Sequence, residues 1–149
     1  MSGSIFAYSQ LMAELWRDGE PFLVWEHDIE PDAVALREAL TCPCEWGVSP
    51  YRGPSATDWE HAAVLKSSLG FTRFSAEIIK ALPDAVERAN QINDGGSVCP
   101  PGDWKRLDCR LYSILRGAGD EMRTPHFHTE VRHHHKFGYG CSCGGECGV

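Results

Sequence analysis

Apolar positions along the first third of the chain predict a helix, a strand and a second helix, in that order. Apolar residues recur every three or four positions over 8–16, which predicts a helix that ends near Gly19. The run 22–25 is apolar throughout, as is typical of a short strand buried on both faces of a parallel sheet. Pro31 and Asp32 then suit the first turn of the second helix.

Later patterns continue the alternation of short strands and helices. A strand is predicted over 46–49, and a helix follows Ser75, whose side chain suits the N-cap. A further amphipathic helix covers 107–115 and ends at Gly117. Segment 56–70 is predicted to be partly helical and 93–103 to be a loop. We therefore expect an α/β fold: a small layered domain over 1–137 with a short, mostly parallel sheet, and a Gly/Cys-rich tail over 138–149.

Composition narrows the classes of partner. With 149 residues, of which 42% are hydrophobic, the chain can bury the core of one domain. Its formal net charge of −7 disfavours nucleic acid and anionic membrane surfaces as partners, because both attract basic faces. No apolar run approaches the ~20 residues of a membrane span. The N-terminus lacks the pattern of a secretion signal, so we expect a cytoplasmic protein.

Two acidic residues follow the apolar run 22–25. Glu26 and Asp28 are separated by one residue, so in an extended chain their carboxylates point to the same side. Ligands of α/β sheets bind beyond the carboxyl ends of strands, and paired carboxylates there can hold a hard divalent cation. The alternative interpretation is a strand that simply emerges into solvent on charged residues.

Four stretches, read in order, resemble motifs of the GT-A fold glycosyltransferases, particularly the inverting family 2 group. "LVWEHD" is similar to the strand with the acidic DxD motif, and "LGFTRFSAEIIKAL" is similar to the acceptor-side segment. "RLDCRLYSILRGAG" resembles the start of the helix that carries the catalytic base, and "TPHFHTEVRHHH" resembles the closing histidine motif. The resemblance covers 21–135 and lacks the preceding half that binds the nucleotide base. Three alternatives follow: donor recognition is reduced, a partner chain or a homo-oligomer supplies the missing half, or the protein has lost catalysis.

The resemblance implies a metal-dependent glycosyltransferase that moves a sugar from a nucleotide-sugar donor to an unknown acceptor. Asp28, with Glu26, would hold Mn²⁺ or Mg²⁺ against the diphosphate, and Arg73 would contribute to donor binding. Asp108 would act as general base on the acceptor hydroxyl, kept ionised by the helix N-terminus beside it. The alternative role for Asp108 is helix capping.

The histidines cluster near the C-terminus and admit three interpretations. His126 and His128, like His133 and His135, alternate, so on a strand each pair shares one side. One of the four can complete the coordination sphere of the Asp28 metal. Alternatively, "PHFHTEVR" resembles the zinc-binding motif of LytM-type peptidases, which predicts a zinc hydrolase using His126 and His128. The third interpretation is a solvated segment that binds metal adventitiously.

Cysteines suggest a second kind of metal site. The tail thiols lie among glycines, which permit a tight wrap around an ion: Cys141, Cys143 and Cys147. With Cys42 and Cys44, or with a tail histidine, they can supply four ligands for a structural Zn²⁺. The alternative function is therefore a small zinc-binding interaction module without catalysis, and the alternative for the tail is disorder.

Overall fold

Five helices and seven short strands make up the described part of the computed structural model, residues 6–52, 69–93, 100–117 and 123–134. The helices are α1 (Ala7–Asp18), α2 (Ala33–Thr41), α3 (Ala76–Ala81), α4 (Ala85–Gln91) and α5 (Leu107–Arg116). The strands are β1 (Phe22–Trp25), β2 (Ile29–Glu30), β3 (Trp46–Val48), β4 (Tyr51–Arg52), β5 (Phe71–Phe74), β6 (His126–Phe127) and β7 (Val131–His133). The 3-10 turn Trp104–Arg106 precedes α5.

The helix boundaries follow local capping chemistry. Gly19 ends α1 with φ of 76°, a left-handed conformation that glycine adopts without steric cost. Asp32 caps α2, because its Oδ1 accepts the Ala35 N–H at 2.8 Å. Ser75 caps α3 in the same way, since its Oγ accepts the Ile78 N–H at 3.3 Å. The helix end at Gly19 and the N-cap at Ser75 confirm the predictions made from sequence pattern. Pro31 and Asp32 were expected within the first turn of α2, but the helix begins at Ala33 and Asp32 is its N-cap. The helix expected within 56–70 lies almost entirely outside the described residues, as do most of the loop over 93–103 and the tail over 138–149.

The strands form two small mixed sheets. The four-stranded sheet has the order β1-β5-β3-β6, in which β1 and β3 pair antiparallel with β5, and β6 pairs parallel with β3. The three-stranded sheet has the order β2-β7-β4, with one antiparallel and one parallel pair. The α/β class is confirmed, but the expected mostly parallel sheet is wrong, because three of the five strand pairs are antiparallel.

The parallel prediction failed because sequence order does not show which strand lies between two others. β1 and β3 flank α2 in the chain and run in the same direction, as expected for a strand-helix-strand pattern. However, β5 inserts between them and pairs antiparallel with both. Among the described strands β1 is consequently an edge strand, with Trp25 52% exposed, rather than a central one.

Both faces of the four-stranded sheet are covered, which explains why β1 is apolar throughout. Phe22 and Val24 pack on the face that carries most helices, where Trp16 and Phe74 are buried. Leu23 packs on the opposite face, against a smaller apolar cluster formed with α2 and the three-stranded sheet. That cluster comprises Ile29, Ala35, Ala39, Tyr51, Phe71 and Val131. The candidate site lies on the face of the four-stranded sheet that carries this smaller cluster.

Candidate metal site

Two cysteines lie on the connection between α2 and β3. Cys42 caps the C-terminus of α2 with an extended backbone, φ −66° and ψ 129°. Cys44 follows two residues later, just before β3. Both side chains are partly exposed free thiols. The end of α2 therefore presents a pair of soft metal ligands at the edge of the sheet face that carries the smaller apolar cluster.

Two histidines reach the same place from the other end of the chain. The short strand β6 pairs parallel with β3, and this register sets Gly47 opposite His126. The His128 N–H continues the pairing by donating to the Val48 carbonyl at 2.9 Å. His126 is exposed, whereas His128 is 8% exposed. The pairing of β3 with β6 thus brings a His-x-His segment beside a Cys-x-Cys segment 84 residues away.

The four side chains form a compact group with metal-ligating atoms facing one another. One ligand atom each from Cys42, Cys44, His126 and His128 lies within 4.8 Å of all the others. The Cys42 Sγ is 3.1 Å from His126 Nδ1, and the Cys44 Sγ is 3.7 Å from His128 Nε2. Tetrahedral Zn²⁺ at ordinary bond lengths sets its ligand atoms about 3.3–3.8 Å apart. A small contraction of the group would therefore suffice to hold a metal ion.

Gly47 leaves the space that this group needs. A Cβ built at position 47 would lie 2.5 Å from His128 Cε1 and 3.1 Å from Cys44 Sγ. Real Cβ atoms do not approach a ring carbon so closely, so any larger residue would displace the imidazole. The backbone of β3 consequently forms one wall of the site.

Glu38 holds the turn that follows His128. Its two carboxylate oxygens accept the backbone N–H and the side-chain hydroxyl of Thr129, both at 2.7 Å. These hydrogen bonds, made to the ionised form, hold the pKa of Glu38 below its usual range, and the nearby His128 adds to the effect. Glu38 thereby connects α2 to the residue that directly follows His128.

Arg73 lies on the same face and contacts the cysteine segment. Its Nη1 donates a hydrogen bond to the carbonyl oxygen of Cys42, and in the sheet Arg73 pairs with Gly47. The guanidinium thus supports the cysteine segment. Its predicted contribution to binding a nucleotide-sugar donor stays a prediction.

Burial has the largest effect on the pKa values of two acids with predicted roles, Glu26 and Asp108. It raises the pKa of Glu26 to about 7, with the negative charges of Asp28 and Asp108 adding to the shift. Burial also raises the pKa of Asp108 to about 6, although Asp108 accepts the Cys109 N–H at 2.7 Å. Desolvation therefore opposes the stabilisation of the Asp108 carboxylate that was expected from the helix N-terminus, and the predicted ionisation of Asp108 stays a prediction. The predicted roles of these acids as base and Mn²⁺ or Mg²⁺ ligands stay predictions.

Asp28 already has a partner in the three-stranded sheet. Its Oδ2 lies 3.0 Å from His133 Nε2, and the His133 ring stacks on Tyr51 with centroids 4.7 Å apart. His133 therefore lies with an acid and a phenol, whereas the histidines of the Cys/His group lie with thiols. The remaining predicted metal ligands fall outside the described residues: His135, Cys141, Cys143 and Cys147.

All four members of the Cys/His group are among the metal ligands predicted from sequence, but in different sites. His126 and His128 were predicted for the Asp28 metal or a hydrolase zinc, and Cys42 and Cys44 for a zinc site with the tail cysteines. The matching alternation of the two pairs, Cys-x-Cys and His-x-His, was the available clue. Only the parallel pairing of β6 with β3 shows that the pairs meet.

Comparisons with known proteins do not place the chain in a family. Protein-family models, curated proteins and solved structures all give no match. Within the described residues, no helix combines the length and apolar character that crossing a membrane requires. The Cys/His group is therefore the feature on which a functional proposal can rest.

Proposed function

We propose that the protein is a small zinc-binding α/β module in which Cys42, Cys44, His126 and His128 hold a structural Zn²⁺ ion. The observation that carries the proposal is the convergence of four ligand atoms within 4.8 Å from segments 84 residues apart. Gly47 supports it, because the absent side chain is what lets His128 and Cys44 approach.

The types of ligand favour zinc over the Mn²⁺ or Mg²⁺ of a glycosyltransferase. Thiolate sulfur and imidazole nitrogen suit borderline and soft ions, whereas Mg²⁺ and Mn²⁺ prefer carboxylate, carbonyl and water oxygen. Two sulfurs and two nitrogens match the Cys₂His₂ set of structural zinc sites. Binding would be pH-dependent, because the thiols must lose protons and the imidazoles must be neutral.

The number of ligands favours a structural role over hydrolysis. A catalytic zinc keeps one position open for water, which leaves three protein ligands. Four protein ligands fill a tetrahedral sphere, so a hydrolase using His126 and His128 is the weaker alternative. The zinc would instead connect the α2–β3 segment to β6, and the module would act through its surface.

Metal analysis of matched variants tests the proposal. The protein purified with Zn²⁺ in the medium should carry one equivalent of tightly held zinc. The double variant Cys42→Ser/Cys44→Ser should lose it, because both sulfurs are removed. The triple variant Cys141→Ser/Cys143→Ser/Cys147→Ser should keep it. Zinc that is lost from the triple variant and kept by the double variant would overturn the assignment.

A glycosyltransferase is the second candidate, and one observation favours it. The charges of Asp28 and Asp108 both act on Glu26, so the three predicted acids are close enough to interact. A thermal-shift panel of UDP-, GDP- and TDP-sugars with and without Mn²⁺ tests this candidate, since a ligand bound only by the folded state raises the melting temperature. A donor shift that requires Mn²⁺ and disappears in Asp28→Asn would support it. The absence of any shift would refute it.

A further inference from the structure

The four candidate ligands connect the segment 123–134 to the α2–β3 connection, two parts of the chain that also meet through the Glu38–Thr129 hydrogen bonds and the Arg123–Glu45 ion pair. Strand β6 has two residues, and among the described strands it pairs only with β3. Beyond it, the chain continues into β7, the central strand of the three-stranded sheet. Zinc would therefore fasten the segment 123–134 to the α2–β3 connection. Structural zinc contributes far more to folding than a single hydrogen bond does.

The two sulfurs are placed to react with each other. Cys42 and Cys44 are separated by one residue, and their Sγ atoms lie within 4.8 Å of each other. Both side chains are partly exposed, and the neighbouring His126 is exposed, so a small oxidant can reach them. A thiolate that is accessible and adjacent to a second thiol is the arrangement that oxidises through a sulfenic acid to a disulfide. The other described cysteine, Cys109, lies on α5 and outside the group.

We propose, on the basis of the zinc-binding function above, that Cys42 and Cys44 form a redox-controlled zinc release site. A peroxide-class oxidant would join the two sulfurs, expel the metal and loosen β6 from β3. Each thiolate loses one electron as the S–S bond forms. Hydrogen peroxide accepts both electrons and two protons, its O–O bond breaks, and two water molecules leave. Zinc departs as Zn²⁺ with its charge unchanged, because a disulfide is not a thiolate ligand and two histidines are too few to retain the ion.

The direct test uses the full-length, zinc-loaded protein and a five-serine variant that retains only Cys42 and Cys44. The replaced cysteines are Cys99, Cys109, Cys141, Cys143 and Cys147. Hydrogen peroxide should release one zinc per disulfide, measured with a chromogenic zinc indicator. The peptide over 38–52 should become two hydrogen atoms lighter by mass spectrometry. A dithiol reductant with added Zn²⁺ should reverse both changes.

Hydrogen exchange reports the structural consequence. After oxidation, backbone amides within 123–134 should exchange at least about tenfold faster, while those of α1 and α5 keep their rates. Removal of zinc by a chelator under reducing conditions should produce the same pattern, which separates the effect of the metal from that of the disulfide. Unchanged exchange in 123–134 after zinc release would overturn the loosening of β6.

The experiments distinguish failure of the proposed zinc-binding function from failure of the release mechanism. A protein that never binds zinc contradicts the proposed function. A protein that binds zinc at Cys42 and Cys44, and keeps it while peroxide is consumed, contradicts only the release mechanism. If the five-serine variant does not fold, the same experiment on the wild-type chain still decides, because peptide mapping identifies which cysteines are oxidised as zinc leaves.

Discussion

Replacement of Gly47 by alanine perturbs the candidate site directly without removing any of its four ligands. The new Cβ would lie 2.5 Å from His128 Cε1, and an ordinary contact needs at least 3.4 Å, so the imidazole must retreat by nearly an ångström. Gly47 does not have a positive φ, so the backbone of β3 tolerates alanine and the effect arises from this contact. Metal bonds tolerate displacements of only about 0.2 Å.

We therefore expect Gly47→Ala to weaken zinc binding about 10- to 100-fold, the range found when the support of a ligand is disturbed. Overpacking should also lower the free energy of unfolding by about 1–3 kcal/mol. Competition with a calibrated zinc chelator at fixed pH measures the affinity, and urea unfolding with and without zinc measures the stability.

Gly70→Ala is the matched control. A Cβ at position 70 would lie 1.8 Å from the Tyr51 hydroxyl, a severe contact that involves none of the four ligands. This variant should lose stability, and its folded fraction should bind zinc with the wild-type affinity. Equal zinc affinity in Gly47→Ala and wild type would refute the reasoning, because it would mean that the site does not depend on the close approach of His128 to β3.

Three further predictions concern the surroundings of the site and the buried acids. Glu38→Gln should reduce zinc affinity about tenfold in the same competition assay, because it weakens the hold on Thr129; unchanged affinity would show that the turn needs no such support. The zinc-free protein should lose stability as the pH rises from about 5 to about 8. The pKa of Glu26 is about 7 in the folded protein and lower in the unfolded chain, so the unfolded chain ionises first and the free energy of unfolding falls over this range. Glu26→Gln should flatten that decline in urea unfolding, and an equally steep decline would contradict the shift. Asp28→Asn should cost about 1–3 kcal/mol of stability by weakening the contact with His133, whereas it should leave zinc affinity unchanged.

The pKa of Asp108 could not be predicted from its neighbours in sequence. Asp108 lies in the first turn of α5, and from sequence the helix N-terminus is the only neighbour that can be named. In the folded protein Asp108 is partly buried, and desolvation raises its pKa despite the hydrogen bond from Cys109. Desolvation depends on all atoms that exclude water from a group, and these come from distant parts of the chain.

Local chemistry was sufficient for the boundaries of the helices. Ser75 and Gly19 act through backbone groups within four residues, so their roles could be predicted from sequence and are confirmed. Asp32 was expected one position further along, in the first turn of α2, and is its N-cap. The apolar run of β1 likewise predicted a strand, because a short run of consecutive apolar residues is a local signal that can be read from sequence.

Strand order and the metal site depended on contacts between distant residues. The insertion of β5 between β1 and β3 made the sheet mixed rather than parallel, although the sequence pattern is the same for both arrangements. The pairing of β6 with β3 then brought His126 and His128 to Cys42 and Cys44 across 84 residues. Periodicity indicates which face of a strand is apolar, but the choice of neighbour depends on the packing free energy of the whole domain. The residues of the candidate site were therefore visible in the sequence, and their association became visible only in the folded chain.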